Sequence, residues 1–236
     1  MVLRQLQENV DGYWSFINEK TKNADGSLNE QASKKMAAKM MGRWPSGAPI
    51  VKFPDADPAD NPSIDAANYV NDNDFLYQDN DKDGLRCPFG SHSRRVNPRD
   101  SFEENTVKES ILLSNRHRII RRARPYGDPF IGSPTNHKAS SDMGIMFACF
   151  NADISRQFEF IQYTWANYPK FKQLVNDPDP FIGVKHIAEE DTQQVFTIPA
   201  TPVNKYVTGL QRFVTVKGGA YFFFPSLNTV KFLGTL

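Results

Sequence analysis

His92 lies in the run Cys87-Pro88-Phe89-Gly90-Ser91-His92-Ser93-Arg94-Arg95-Val96-Asn97-Pro98-Arg99-Asp100, between a Cys-Pro turn and an Asn-Pro-Arg turn, with three arginines close behind it. A second basic run follows: His117-Arg118-Ile119-Ile120-Arg121-Arg122-Ala123-Arg124-Pro125-Tyr126-Gly127. A neutral imidazole can give a nitrogen lone pair to a metal, and a permanently protonated guanidinium can stabilise negative charge on oxygen. Each residue also has a plainer reading. A lone histidine is more often a surface or hydrogen-bonded residue than a ligand. Arg118, Arg121, Arg122 and Arg124 read equally as a solvated basic face. The other histidines are His117, His137 and His186. No two histidines have metal-site spacing, and Cys87 and Cys149 add no zinc pattern.

One more stretch has ligand-like spacing. Asp79-Asn80-Asp81-Lys82-Asp83-Gly84 matches the first half of an EF-hand calcium loop. Its twelfth position is Gly90, where the bidentate glutamate should stand, so a solvated acidic turn is the favoured reading.

Bulk properties narrow the class. A chain of 236 residues makes one large domain or two small ones, and its many phenylalanines allow a sizeable core. The formal charge of +1 gives no global field to attract nucleic acid. Positive charge is concentrated between Arg86 and Arg124, and its counterweight between Asp55 and Asp83. No segment is apolar for long enough to span a bilayer, and Met1 to Leu6 lacks the features of a signal peptide. Two cysteines give no disulfide framework and are expected reduced and partly buried. The expectation is a cytoplasmic protein with neither membrane nor nucleic acid as partner.

The elements that must position these residues follow from periodicity. Val2 to Leu6 alternates as a short strand, and Val10, Tyr13, Trp14 and Ile17 share one helix face. Ser27 to Gly42 reads as a second helix, capped by Ser27 with Glu30 three residues on, and ended by Gly42. Trp44 to Ala67 carries five prolines, which predicts a long surface connection; its outer bounds are taken as 43–85. Ile145 to Phe150 suits a buried central strand, and Ala152 to Asn167 a helix with Pro169 beyond it. Gln194 to Ile198 is a short strand. Arg212 to Val216 and Ala220 to Phe224, around Gly218-Gly219, read as a hairpin or a kinked strand pair. Ser226 to Leu233 makes a last helical turn or two. Irregular alternation without a phosphate-loop or dinucleotide glycine signature predicts an α+β fold.

The runs quoted above also resemble a known family. Cys87 to Arg99 matches a Cys-Pro-x-x-x-His-x-Arg-x-x-Asn-Pro-Arg segment, and Arg121 to Gly127 an Arg-Arg-x-x-Pro-Tyr-Gly segment, of the dye-decolourising (DyP-type) haem peroxidases. Gly144 to Gln162, Arg212 to Phe223, Gly42 to Gly47 and Asn73 to Leu76 also look like that family, in consistent order along nearly the whole chain. The resemblance implies a ferredoxin-like antiparallel sheet with helices on one face, of the dimeric α+β barrel-like superfamily. It implies one haem-binding domain over 1–236, equivalent to the C-terminal portion of a longer architecture. It implies haem b, with His92 as the proximal iron ligand. Asp153 would accept a hydrogen bond from the other imidazole nitrogen and make the ring a stronger donor; its plainer reading is an acid at a helix N-terminus. Arg121 would lie over the other haem face as the catalytic guanidinium. Ile145 and Phe147 would line that pocket, and Arg94 and Arg99 would hold the haem propionates.

One departure bears on activity. Family members carry an upstream Gly-x-x-Asp-Gly motif whose aspartate assists proton transfer from peroxide. Here Asp11-Gly12, Asp25-Gly26 and Asp83-Gly84 are preceded by Glu8, Lys22 and Asn80 where that motif needs glycine. Loss of such a group costs about 10²–10⁴-fold in rate. Ser93 and Ala123 also stand where the family commonly has an apolar residue and a glycine. The expected function is a haem-dependent peroxidase using hydrogen peroxide to oxidise an organic substrate, with activity reduced. The alternative is a haem-binding or haem-sensing module without useful turnover. The expected partners are peroxide, a reducing substrate, and either further copies of the chain or a separate chain supplying the missing N-terminal half.

Overall fold

The computed structural model describes residues 1–102, 106–128, 130–138, 142–172, 174–184 and 194–236. Its centre is a four-stranded antiparallel sheet in the order β2 (Ile120–Tyr126), β5 (Gly144–Phe150), β1 (Val2–Glu8), β8 (Val214–Tyr221). Counted along the chain, these are the second, third, first and fourth strands of the sheet, which is the ferredoxin-like order. Short ribbons pair β3 (Ile131–Ser133) with β4 (Asn136–Lys138) and β6 (Val195–Ile198) with β7 (Lys205–Thr208). Pro125 is tolerated because β2 is an edge strand. Gly144 is needed where it stands, since a Cβ there would meet the Leu6 carbonyl oxygen at 2.0 Å.

Alternation divides the sheet into two faces. Directly paired residues share a face, so Val2, Arg4 and Leu6 lie with Cys149, Phe147 and Ile145, and with Arg121, Ala123 and Pro125. A helix of i to i+5 turns, Ser155–Glu159 continuing into Ile161–Ala166, covers this face. Phe158 packs with Val2, Cys149 and Phe147, and the Arg4 guanidinium lies 4.6 Å over its ring. The opposite face carries Leu3, Met146, Phe150 and Ile120; Ile120 is 66% exposed, and no described helix covers it.

Helices α1 (Val10–Thr21) and α2 (Glu30–Met41) pack against each other through Trp14, Phe16, Ile17, Ala37 and Met40, with Phe196, Val207 and Phe213. Asn29, not Ser27, caps α2: its side chain accepts from Ala32 N, while Ser27 is held by Asp25. Gly42 ends α2 in the left-handed region at φ 89°, as the sequence predicts. The segment after α2 lacks long elements, but it does more than run over the surface. Trp44, Ala48, Ile50, Val51, Tyr69, Phe75 and Tyr77 bury a hydrophobic cluster with Ala38 and Cys87. The expected hairpin around Gly218-Gly219 is one continuous strand, β8, whose register on β1 shifts between Gln5 and Leu6. A bulge takes up the extra residue without reversing the chain.

The short helices α3 (Gln78–Asp81) and α4 (His92–Val96) precede α5 (Val107–Asn115), which opens with a reciprocal capping box between Thr106 and Glu109. The chain ends in α6 (Leu227–Leu233). Both cysteines are buried free thiols.

Candidate functional site

The site is built around α4. Ser91, fully buried, anchors its start by donating Oγ–H to the Lys39 carbonyl at 2.5 Å. His92 is the first helical residue, and its Nδ1 lies 2.9 Å from Asp179 Oδ2. The ring meets Phe181 edge-on at 5.9 Å between centroids. Asp179 is fully buried, and its Oδ1 accepts from Phe181 N and Ile182 N, both at 2.9 Å. Burial pushes this carboxyl up, but the charge and hydrogen bond of His92 and the two backbone N–H groups outweigh it, so the net shift is downward. In the neutral ring, this carboxylate accepts a hydrogen bond from Nδ1–H. Nε2 is then the lone-pair nitrogen, with no hydrogen bond among the described residues.

A polar chain connects this pair to the covered face of the sheet. Arg4 Nη1 donates to Gln162 Oε1 at 3.3 Å, and Gln162 Nε2 donates to the Ile182 carbonyl at 3.1 Å. His92 therefore stands on the same side of the sheet as Arg121, Ile145 and Phe147. Ile145 and Phe147 are half-buried there, and Arg121 is exposed on the edge strand.

Two sequence expectations are corrected. Asp153 is not the partner of His92. It is exposed, and its Oδ1 accepts from Arg156 N at 2.9 Å, the plainer role at a helix N-terminus. A different acid, Asp179, is folded back against His92. Nor is Arg94 turned toward a ligand. It is 1% exposed, pairs with Asp81 Oδ2 at 3.1 Å, and donates to the carbonyls of Cys87 and Asp81. Its guanidinium is sandwiched between Tyr77 and Phe89, 4.3 and 4.4 Å from their ring centres. The same contacts dispose of the EF-hand-like stretch, because Asp81 is buried and accepts from Arg86 N and Cys87 N.

Arg99 keeps a free edge. Its Nη1 donates to the carbonyls of Asn73 and Phe75, and the group lies 3.9 Å over the Phe75 ring. Nε and Nη2 have no hydrogen bond among the described residues. The residue holds φ 55°, a left-handed conformation that costs a non-glycine residue about 1–2 kcal/mol. Arg43 joins it. Burial lowers the Arg43 pKa, and the like charges of Arg99 and Arg121 lower it further. Arg43 itself is engaged, donating to the Gly47 and Asp72 carbonyls and to Asn73 Oδ1.

Of the remaining histidines, His117 is stacked on Phe160 at 3.7 Å and His137 sits 3.7 Å from Asp11. His186 lies outside the described residues. Among the described residues there is no group of three His, Cys, Asp or Glu side chains that could hold a metal ion.

Comparison with known proteins decides what framework this is. A family profile described as Dyp-type peroxidase, C-terminal, matches residues 77–177, the stretch that contains α4, β2 and β5. The chain is 32% identical to a dye-decolorizing peroxidase of Mycena epipterygia, over 98% of this chain and 46% of that protein. It is 30% identical to Peroxidase 2 of Mycetinis scorodonius, over 98% of this chain and 45% of that one. Its fold superposes on the crystal structure of a DyP-type peroxidase from Anabaena sp. with a TM-score of 0.68 at 28% identity, covering 92% of this chain and 42% of that chain.

The chain is similar to the C-terminal portion of DyP-type peroxidases. It spans less than half the length of these relatives. The part that matches the solved structure includes the antiparallel sheet with the i to i+5 helix over one face. Within this DyP-type framework, sequence reasoning missed Asp179 and gave Arg43 no role. Asp177-Pro178-Asp179-Pro180 has no spacing that marks an imidazole partner, and 87 residues separate Asp179 from His92. Arg43 was visible only as part of the Gly42 to Gly47 motif.

Proposed function

We propose that the chain is the haem-binding portion of a peroxidase that uses hydrogen peroxide to oxidise an organic substrate. The observation that carries this reading is the His92–Asp179 pair at 2.9 Å, which leaves the other imidazole nitrogen, Nε2, unengaged among the described residues. A lone imidazole with a carboxylate behind it would suit haem iron, which asks a single ligand of the protein, and does not fit a site needing several protein ligands. His92 would hold the iron, and the free edge of Arg99 would take a propionate carboxylate. When bound, the haem supplies the redox chemistry: two electrons for peroxide, recovered from the reducing substrate. Asp179 holds the His92 ring in one tautomer. Arg121 offers a permanent charge that orients a peroxide oxygen but is a poor proton carrier, so water or another group moves the proton. Ile145 and Phe147 keep an apolar surface beside it.

An absorption spectrum with and without added haem tests the reading. The parent should develop a Soret band, and His92→Ala should lose most of it. An unchanged band in that variant would refute ligation by His92.

A haem-binding or haem-sensing module without turnover is the second reading. Full haem loading with no reaction on mixing with peroxide would establish it. The same proposal places the protein in the cytoplasm, on its two free cysteines. It assigns the open face of the sheet, where the rings of Phe150 and Phe224 meet at 5.0 Å, to another copy of the chain or to a second protein chain. The molar mass in solution tests the first of these.

A further inference from the structure

Arg95 is three residues after His92 on α4 and is fully buried. Among the described residues, no carboxylate forms an ion pair with it. Two of its nitrogens serve main-chain carbonyls: Nη1 donates to Trp165, Ala166 and Tyr168, and Nη2 donates to Tyr168 and Asp177, while Nε is buried without a hydrogen-bond partner among the described residues. Trp165 and Ala166 end the i to i+5 helix, whose last carbonyls have no helical partner of their own. Asp177 stands two residues before Asp179. The Ala166 carbonyl takes a second hydrogen bond, at 2.8 Å, from the backbone N–H of Asp179 itself. Phe171 closes the space beneath, its ring centre 5.0 Å from the guanidinium carbon. One side chain thus binds the start and the end of the loop that returns Asp179 to α4, from a position one helical turn beyond His92.

We propose that Arg95 is a positioning residue, whose planar fork fixes the Asp179 carboxylate against His92 Nδ1 and so sets the tautomer and donor strength of that imidazole. The inference rests on the proposed ligation of haem by His92 for its functional meaning, but its geometry does not. Five N–H donors in a rigid plane can serve four carbonyls at once; a lysine ammonium has three donors and no plane. Arg95→Lys therefore keeps charge and approximate volume while loosening the loop. The effect should reach His92 only through Asp179.

The test has one arm without haem and one with it. In the haem-free protein, nitrogen-15 spectra of the neutral His92 ring should show the proton on Nδ1 in the parent. Arg95→Lys should give a mixture of tautomers, and Asp179→Asn a larger change. In the haem-loaded protein, Arg95→Lys should move the iron midpoint potential and the iron–histidine stretching band in the same direction as Asp179→Asn, by a fraction of its shift. The double variant should match Asp179→Asn alone, because residues acting through one contact are not additive. A folded Arg95→Lys protein with the parent's tautomer overturns the proposal, whether or not haem binds. Additive shifts in the double variant also overturn it. If the parent takes up no haem, the peroxidase reading fails, and the haem-free spectra still decide the role of Arg95.

Discussion

Arg94 Nη1 lies 3.1 Å from Asp81 Oδ2, and each side chain is only 2% exposed. The helix that presents His92 is thus fastened to α3 by an ion pair removed from water. Such a pair adds little over a well-packed apolar one, but breaking it strands a charge. Arg94→Met should destabilise the fold by about 3–5 kcal/mol, read from urea unfolding. Pairing it with Asp81→Asn, which removes the stranded charge and keeps an acceptor for the backbone N–H groups of Arg86 and Cys87, should recover part of that loss. A single variant as stable as the parent would contradict the buried pairing.

The two aspartates considered as partners of His92 separate cleanly. Asp179→Asn removes the charge behind the imidazole, weakens its donation and should raise the iron reduction potential. It should also weaken haem retention by roughly 10–100-fold. Asp153→Asn touches only a helix N-terminus and should leave both quantities at the parent values. A redox titration in which Asp153→Asn shifts and Asp179→Asn does not would reverse the assignment.

Arg121 stands exposed on the covered face of the edge strand, near enough to Arg43 to lower its pKa. In the proposed peroxidase, Arg121→Leu should slow the reaction of ferric protein with peroxide by roughly 10²–10³-fold, the loss from removing one preorganised charge-stabilising donor. Stopped-flow mixing measures this directly. Equal rates in the two proteins would assign Arg121 to the surface.

Gly42 couples the end of α2 to the site. It holds φ 89°, and a Cβ there would meet Ser93 Cβ at 2.9 Å, directly beside His92. Gly42→Ala combines a strained backbone with that clash and should cost more than about 1 kcal/mol. Thermal unfolding gives the cost. The haem-free His92 spectrum should change as well, since Ser93 must shift. Unfolding at the parent temperature would show that α2 and α4 are not in contact here.

Local patterns in the chain determine much of this protein. Alternation marks β1, a continuous apolar run marks β5, the 3.6-residue period marks α1, and the glycine after Met41 marks the end of α2, because each depends on neighbours a few residues apart. The segment from Cys87 to Arg99 also singles out His92 by itself, through its match to the family. What the sequence leaves open is which side chains meet over long separations. Asp153 and Asp179 are both acids within reach of some fold, and only the return of the loop tied by Arg95 brings Asp179 to Nδ1. Arg94 and Arg99 look alike as propionate partners. Helix α4 points the first inward onto Asp81 and the turn at φ 55° leaves the second a free edge. Burial and partner choice are properties of packing, and packing joins residues that the local sequence cannot compare.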